Sequence, residues 1–208
     1  MLTKEQLRIL AVFREDLFAR LTFKQIKEKS GQKSNNVVQI ALKEFKKQKI
    51  VVTEQTGDVT TYFLNLDNNL TASCLGLIND VEIGNNKKLP KKVLSEIQNR
   101  MLKNSPFFIL LIFGSYAKEA ATAKSDLDVA VIAESEQSKK EIIPGLETVK
   151  RREIIAIDYH VFTGKEFLEM LVAEQENVGK QIYRKNIIYY GAIQYYNLIK
   201  GLKHGKIS

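Results

Sequence analysis

Asp126 and Asp128 stand one residue apart in the run Ser125-Asp126-Leu127-Asp128-Val129-Ala130-Val131-Ile132, most of whose other members are apolar. On a β-strand alternate side chains share a face, so the two acids point the same way, with Cα atoms about 6–7 Å apart. Like charges held that close on an apolar strand repel and lose hydration, a cost that a cation between them removes. Magnesium suits this role, because it takes hard oxygen ligands and binds through a few carboxylates together with phosphate. Asp158, between Ile157 and Tyr159, repeats the pattern of one acid in an apolar, β-rich run. Brought beside the first pair, it would complete a carboxylate set for two metal ions roughly 3.5–4 Å apart, the arrangement that acts on phosphoryl groups.

The apolar run Phe107–Phe113 ends abruptly at Gly114-Ser115. A strand ending in Gly-Ser before a helical turn offers backbone N–H groups and a hydroxyl to a phosphate chain. Glycine permits close approach and a positive φ. Lys118, one turn on, is placed to pair with the same phosphates. His160 shares the strand face of Asp158 and reads either as a contact to the acceptor or as a histidine satisfied at the sheet rim. The tyrosines Tyr183, Tyr189, Tyr190, Tyr195 and Tyr196 read as core and interface more readily than as a base-stacking platform. The run Lys150-Arg151-Arg152 suits the negative end of a helix as well as it suits nucleic acid.

The elements that must position these residues form a mixed pattern. Pro90 opens a helix with Val93, Leu94, Ile97, Met101 and Leu102 inward. Strands follow at Phe107–Phe113, Leu127–Ala133 and 154–162, with a helical segment from about Lys139 to Arg152 interrupted near Pro144-Gly145. Two amphipathic helices, roughly 165–185 and 192–203, close the chain. Strands and helices around one sheet predict an α/β or α+β domain.

Residues 1–70 follow a different pattern. Thr3 with Gln6 signals a capping box, Thr22 caps a short second helix that ends at Ser30-Gly31, and Ser34 opens a third. The third helix has Val37, Val38, Ala41, Leu42 and Phe45 inside, and Asn35, Asn36, Gln39, Lys43, Lys46 and Lys47 outside. Two β-rich runs joined around Gly57-Asp58 predict a hairpin. This order resembles a winged helix-turn-helix domain. The resemblance implies DNA binding through Asn35, Asn36, Gln39 and Lys43 in a major groove. Residues 71–88 are polar and read as a connector with a short helix near Cys74–Ile78, leaving 89–208 as the second domain.

The spacing from Gly114-Ser115 to Asp126-x-Asp128 resembles the signature of the polymerase-beta-type nucleotidyltransferase superfamily, in particular its small prokaryotic members. The fold expected is therefore α+β: an N-terminal winged helix-turn-helix followed by a polymerase-beta-like α/β domain with C-terminal helices. The resemblance implies magnesium-dependent transfer of a nucleoside monophosphate from a triphosphate, ATP foremost, to a hydroxyl acceptor. Gly114, Ser115, Lys118 and Ser125 would bind the nucleotide. Asp126, Asp128 and Asp158 would hold two Mg2+ ions, with Asp158 also helping to deprotonate the acceptor. This chain has Lys118-Glu119 where many small members have Arg-Gly, and Ala123 where they often have proline. Small members often act as antitoxins on a HEPN-type toxin, which makes a protein acceptor one implied partner. The alternative is a DNA-binding regulator or antitoxin whose transferase-like domain binds nucleotide or a partner with little turnover. A transferase acting on tRNA or an antibiotic is a third reading.

The chain of 208 residues carries a formal charge of +8, which fits an anionic partner and equally a lysine-rich solvated surface. Its single cysteine, Cys74, rules out an intrachain disulfide, and with His160 and His204 it is too dispersed for a zinc site. The longest apolar run is too short to span a bilayer, and the first residues are too polar for a signal peptide. The expectation is a cytoplasmic protein with no membrane association, and a homodimer if two DNA half-sites are read.

Overall fold

In the computed structural model, which describes residues 2–204, the chain divides into two compact units, Met1–Ile78 and Asn79–Ser208. The side chains of Lys203 and His204 lie outside the described residues. The first unit contains helix α1 (Lys4–Leu10), a 3-10 turn (Ala11–Arg14), strand β1 (Leu21–Thr22), helices α2 (Phe23–Ser30) and α3 (Asn35–Lys47), and the hairpin β2 (Val51–Thr56) and β3 (Val59–Leu64). Capping residues set the boundaries expected of them. Thr3 with Gln6 and Thr22 with Gln25 form complete capping boxes, and the Ser34 hydroxyl accepts from the Val37 N–H. The three strands form an antiparallel sheet in the order β1-β3-β2. Phe13, Ile26, Val38 and Phe45 are fully buried.

Helix α4 (Asn69–Asn85) takes in the short helix expected near Cys74–Ile78 and extends it over most of the connector expected at 71–88. Its start is capped by the Asn68 carboxamide, which accepts the Leu70 N–H. Apolar residues fall on every side of this helix, so no stripe of helical period betrays it in the sequence. The division between the two units falls inside it.

The second unit continues with α5 (Lys91–Leu102), β4 (Phe108–Ile112), the one-turn helix α6 (Gly114–Ala117), β5 (Leu127–Ala133), α7 (Glu136–Arg152), β6 (Ile157–Thr163), α8 (Gly164–Val172), α9 (Val178–Arg184), β7 (Ile187–Tyr190) and α10 (Ala192–Lys200), which runs into a 3-10 turn (Gly201–His204). The sheet order is β6-β5-β4-β7, with β5 and β6 parallel and the other pairs antiparallel. One face of the sheet, through Leu110, Leu127, Val129 and Val131, packs on Leu94, Ile97 and Met101 of α5 and Ile142, Leu146 and Val149 of α7.

Three features differ from expectation. Helix α7 runs unbroken through Pro144, and the Pro144 carbonyl accepts from the Thr148 hydroxyl at 2.8 Å. The helix expected over 165–185 is two, because Asn177 caps a new start by accepting the Lys180 N–H. The four-residue strand β7 was hidden between helices, since so short a run has no periodicity to read. Its outer edge is closed by Asn79, whose carboxamide donates to the Ile188 carbonyl and accepts the Ile188 N–H. Asn79 is fully buried, so one side chain does there what a fifth strand would do. Replacing it by alanine leaves two buried backbone groups unpaired. Asn79→Ala should therefore lower unfolding stability by about 2 kcal/mol or more, read from urea midpoints at unchanged m-value.

Candidate active site

The parallel pairing of β5 and β6 sets Asp128 directly beside Asp158, within the register Leu127↔Ile157, Asp128↔Asp158, Val129↔Tyr159 and Ala130↔His160. Leu127, Val129 and Val131 point into the core under α5 and α7, and Ile157 joins them. Strand alternation therefore turns Asp128, Asp158, His160 and Phe162 to the opposite face. Further along that face Ala130 and Ile132 are buried, whereas Asp128 is half-buried and the Asp158 side chain is 61% exposed. The acids thus stand where the covering of the sheet gives out.

Their electrostatics follow from this placement. Burial pushes the Asp128 carboxyl above the ordinary carboxylate range, and the charges of Asp158 and Asp126 push it further. The Ser115 backbone N–H, which donates to Asp128, and His160 act in the opposite direction. His160 sits with Nε2 3.9 Å from Asp158 Oδ2, its ring stacked on Phe162 and tilted against Phe113. Two carboxylates facing each other in register, one with its charge disfavoured, are the donor chemistry that suits a hard divalent cation. Among the described residues, no three Asp, Glu, His or Cys side chains stand together as a set placed to hold a metal ion. What the fold brings together is the Asp128–Asp158 pair, with Asp126 near enough for its charge to act on Asp128.

Gly114 closes against this pair. Its φ is +62°, and a Cβ placed on it would fall into the Asp128 carboxylate, 2.7 Å from the carboxyl carbon. The chain then makes the one turn of α6 and leaves it through a compact reversal. The Ala120 N–H donates to the Ser115 carbonyl at 2.9 Å, the Glu119 N–H to the Tyr116 carbonyl at 3.3 Å, and Glu119 has φ +57°. That is the Schellman arrangement, with Glu119 at the left-handed position glycine usually fills. The missing glycine of the Lys118-Glu119 sequence leaves the turn's conformation in place and strains it instead. Glu119→Gly should relieve the strain and add roughly 0.5–1 kcal/mol of stability, after glycine's own entropic cost, seen as a small rise in Tm.

The remaining predicted residues are placed as follows. Lys118 is exposed one turn from Gly114, and its N–H donates to the Gly114 carbonyl. The Ser125 hydroxyl is engaged within its own loop, accepting the Thr122 N–H at 3.0 Å and lying 3.3 Å from the Thr122 hydroxyl. Tyr195 and Tyr196 are core residues, and the Tyr189 hydroxyl meets the Ser95 hydroxyl at 3.0 Å. At the end of α7, Lys150 stands over the Tyr159 ring, and Arg151 pairs with Glu147 at 3.8 Å. The Tyr159 hydroxyl donates to Glu147, and burial with that bond raises its pKa to about 12. In the first unit Asn35, Asn36, Gln39 and Lys43 are all exposed on α3, with Ile40 among them.

Asn86 and Lys88 carry no motif and lie within the expected connector. The Asn86 carboxamide donates to the Tyr116 carbonyl at 3.4 Å, and the Lys88 ammonium to the Glu119 carbonyl at 2.8 Å. Side chains that bond a carbonyl 30 or more residues away leave no local pattern in a sequence.

Residues 95–188 match the family described as polymerase beta, nucleotidyltransferase. The match begins within α5, ends in β7 and contains all of the carboxylate site. It supports the polymerase-beta-type superfamily for this part of the chain and suggests nucleotidyltransferase activity. No curated protein and no solved structure matches the chain. No helix among the described residues is long and apolar enough to cross a membrane.

Proposed function

We propose that the second unit transfers a nucleoside monophosphate from a magnesium–nucleoside triphosphate, ATP foremost, to a hydroxyl acceptor. The observation that carries this reading is the in-register pairing of Asp128 with Asp158, closed on one side by Gly114. Asp126, Asp128 and Asp158 would hold magnesium, which when bound neutralises charge on the entering and leaving oxygens. Gly114 keeps the backbone of the turn tight against Asp128, and the Ser115 N–H favours the charged form of that carboxylate. The Ser115 hydroxyl and Lys118 would meet the triphosphate. Ser125 acts less directly, by fixing the loop that leads into Asp126. Asp158, exposed at the start of β6, would take the proton from the acceptor hydroxyl as its oxygen bonds to the α-phosphorus and pyrophosphate departs. Positioning and electrostatics supply most of such a barrier reduction.

The first unit we read as a winged helix-turn-helix that binds DNA through Asn35, Asn36, Gln39 and Lys43. The exposed amides of α3 and the hairpin that follows support this. The acceptor carries a hydroxyl, and its class, protein (a HEPN-type toxin among the candidates), RNA or small molecule, is separated by experiment. A second reading, a DNA-binding regulator with little turnover, draws on the left-handed glutamate of the Lys118-Glu119 turn and on the engaged Ser125 hydroxyl. The test is incubation with magnesium and a triphosphate labelled on its α-phosphate, in a lysate of the source cells. Wild type is compared with an Asp126→Asn, Asp128→Asn double variant. Label transferred by wild type alone supports the enzyme. Binding of magnesium–ATP with no label on any macromolecule or small acceptor supports the regulator.

A further inference from the structure

We propose that Lys88, supported by Asn86, is a positioning residue that holds the Gly114–Ala120 turn in its working conformation and stands in for the glycine that position 119 lacks. The inference rests on the nucleotide-transferase reading of this site. Hydrogen bonds at both ends of the turn tie it to Lys88 on one side and to Asp128 on the other. Lys88 Nζ donates to the Glu119 carbonyl, and the Ala120 N–H donates to the Ser115 carbonyl. The Ser115 N–H in turn donates to Asp128. A left-handed glutamate is a conformation that L-residues rarely keep without external support.

Lys88 supplies that support at the strained residue itself. Asn86, 7% exposed, ties down the preceding turn through the Tyr116 carbonyl, and its side-chain oxygen accepts the Lys88 N–H at 3.0 Å. The two clamp residues are therefore held to each other as well as to the turn.

The same device occurs elsewhere in the chain. Lys49, with φ +55°, ends α3 in the same pattern, with the Ile50 N–H on the Phe45 carbonyl and the Lys49 N–H on the Lys46 carbonyl. There too a left-handed lysine replaces glycine. Its carbonyl accepts from the Asn65 and Asn68 carboxamides at 3.0 and 2.9 Å. In both places a side chain from outside the turn bonds the carbonyl of the strained residue.

The experiment uses the full chain and five proteins: wild type, Lys88→Met, Glu119→Gly, the two substitutions combined, and Lys88→Arg as a conservative control. Two quantities are read. The first is the dissociation constant for magnesium–ATP, and the second is amide exchange over residues 114–120 without nucleotide. Lys88→Met is expected to weaken magnesium–ATP binding roughly three- to tenfold and to speed exchange in that segment, with Lys88→Arg restoring both. In the Glu119→Gly background the same lysine substitution should change binding less than about twofold, because glycine holds the left-handed turn unaided. Equal penalties in both backgrounds, or exchange unchanged by Lys88→Met, would overturn the clamp. If the wild type binds no magnesium–ATP, the nucleotide reading falls. The exchange comparison then still decides whether Lys88 holds the turn. Lys88 is exposed and its loss leaves the core intact, so the result does not depend on an Asn86 variant folding.

Discussion

Asp128→Asn is expected to lower nucleotidyl transfer by about 10^3-fold while leaving the chain at least as stable as wild type at neutral pH. The loss of transfer follows from removing a carboxylate that would hold magnesium, and the stability from the crowding of that carboxylate. Burial and the neighbouring charges of Asp158 and Asp126 disfavour the ionised form of Asp128 in the folded protein, so its folded pKa lies above its unfolded value. A group with a raised folded pKa contributes stability that is fully present below its unfolded pKa. That contribution is lost as pH rises through the folded value. The wild type should therefore lose part of its stability as pH climbs from the usual carboxylate range through the raised value. Asparagine, which does not ionise, should flatten that part of the profile. Urea midpoints of the two proteins across acid and neutral pH check the stability claim, and the α-phosphate label checks the transfer. A variant less stable than wild type at neutral pH would mean that the Ser115 N–H and His160 outweigh the crowding.

Gly114→Ala is expected to cost about 3 kcal/mol of stability and to remove nucleotide binding with it. Two penalties add. The left-handed backbone costs an L-residue roughly 1–2 kcal/mol, and forcing a methyl group into an occupied site costs about 1–3 kcal/mol more. The occupant is the Asp128 carboxylate, so relief of the clash displaces a residue of the site itself. Thermal unfolding and magnesium–ATP titration of the variant separate the outcomes. A folded variant with normal nucleotide affinity would show that the turn is free to move off Asp128 without loss, and would remove Gly114 from the site.

The helix starts at Thr3, Thr22 and Ser34, the left-handed position at Gly114 and the shared face of Asp128 with its strand neighbours were legible in the sequence. Each depends on a residue and its neighbours within about four positions, where capping and strand alternation act. The spacing of Gly114-Ser115 from Asp126-x-Asp128 likewise lies within one short segment, the segment that the polymerase beta family match contains. Of helix α4 only a short piece near Cys74–Ile78 was legible, because its apolar residues encircle it, and β7 was not, because four residues cannot show a period.

The tertiary structure decided the rest. Asp158 reaches Asp128 only because β6 runs parallel to β5 in one register, and a slip of one residue would turn it into the core. Asn79 closes the β7 edge from 109 residues away, and Lys88 supports Glu119 across 31. Such bonds are set by strand pairing and helix packing over the whole unit. A linear sequence records the groups that make them and not the distances at which they meet.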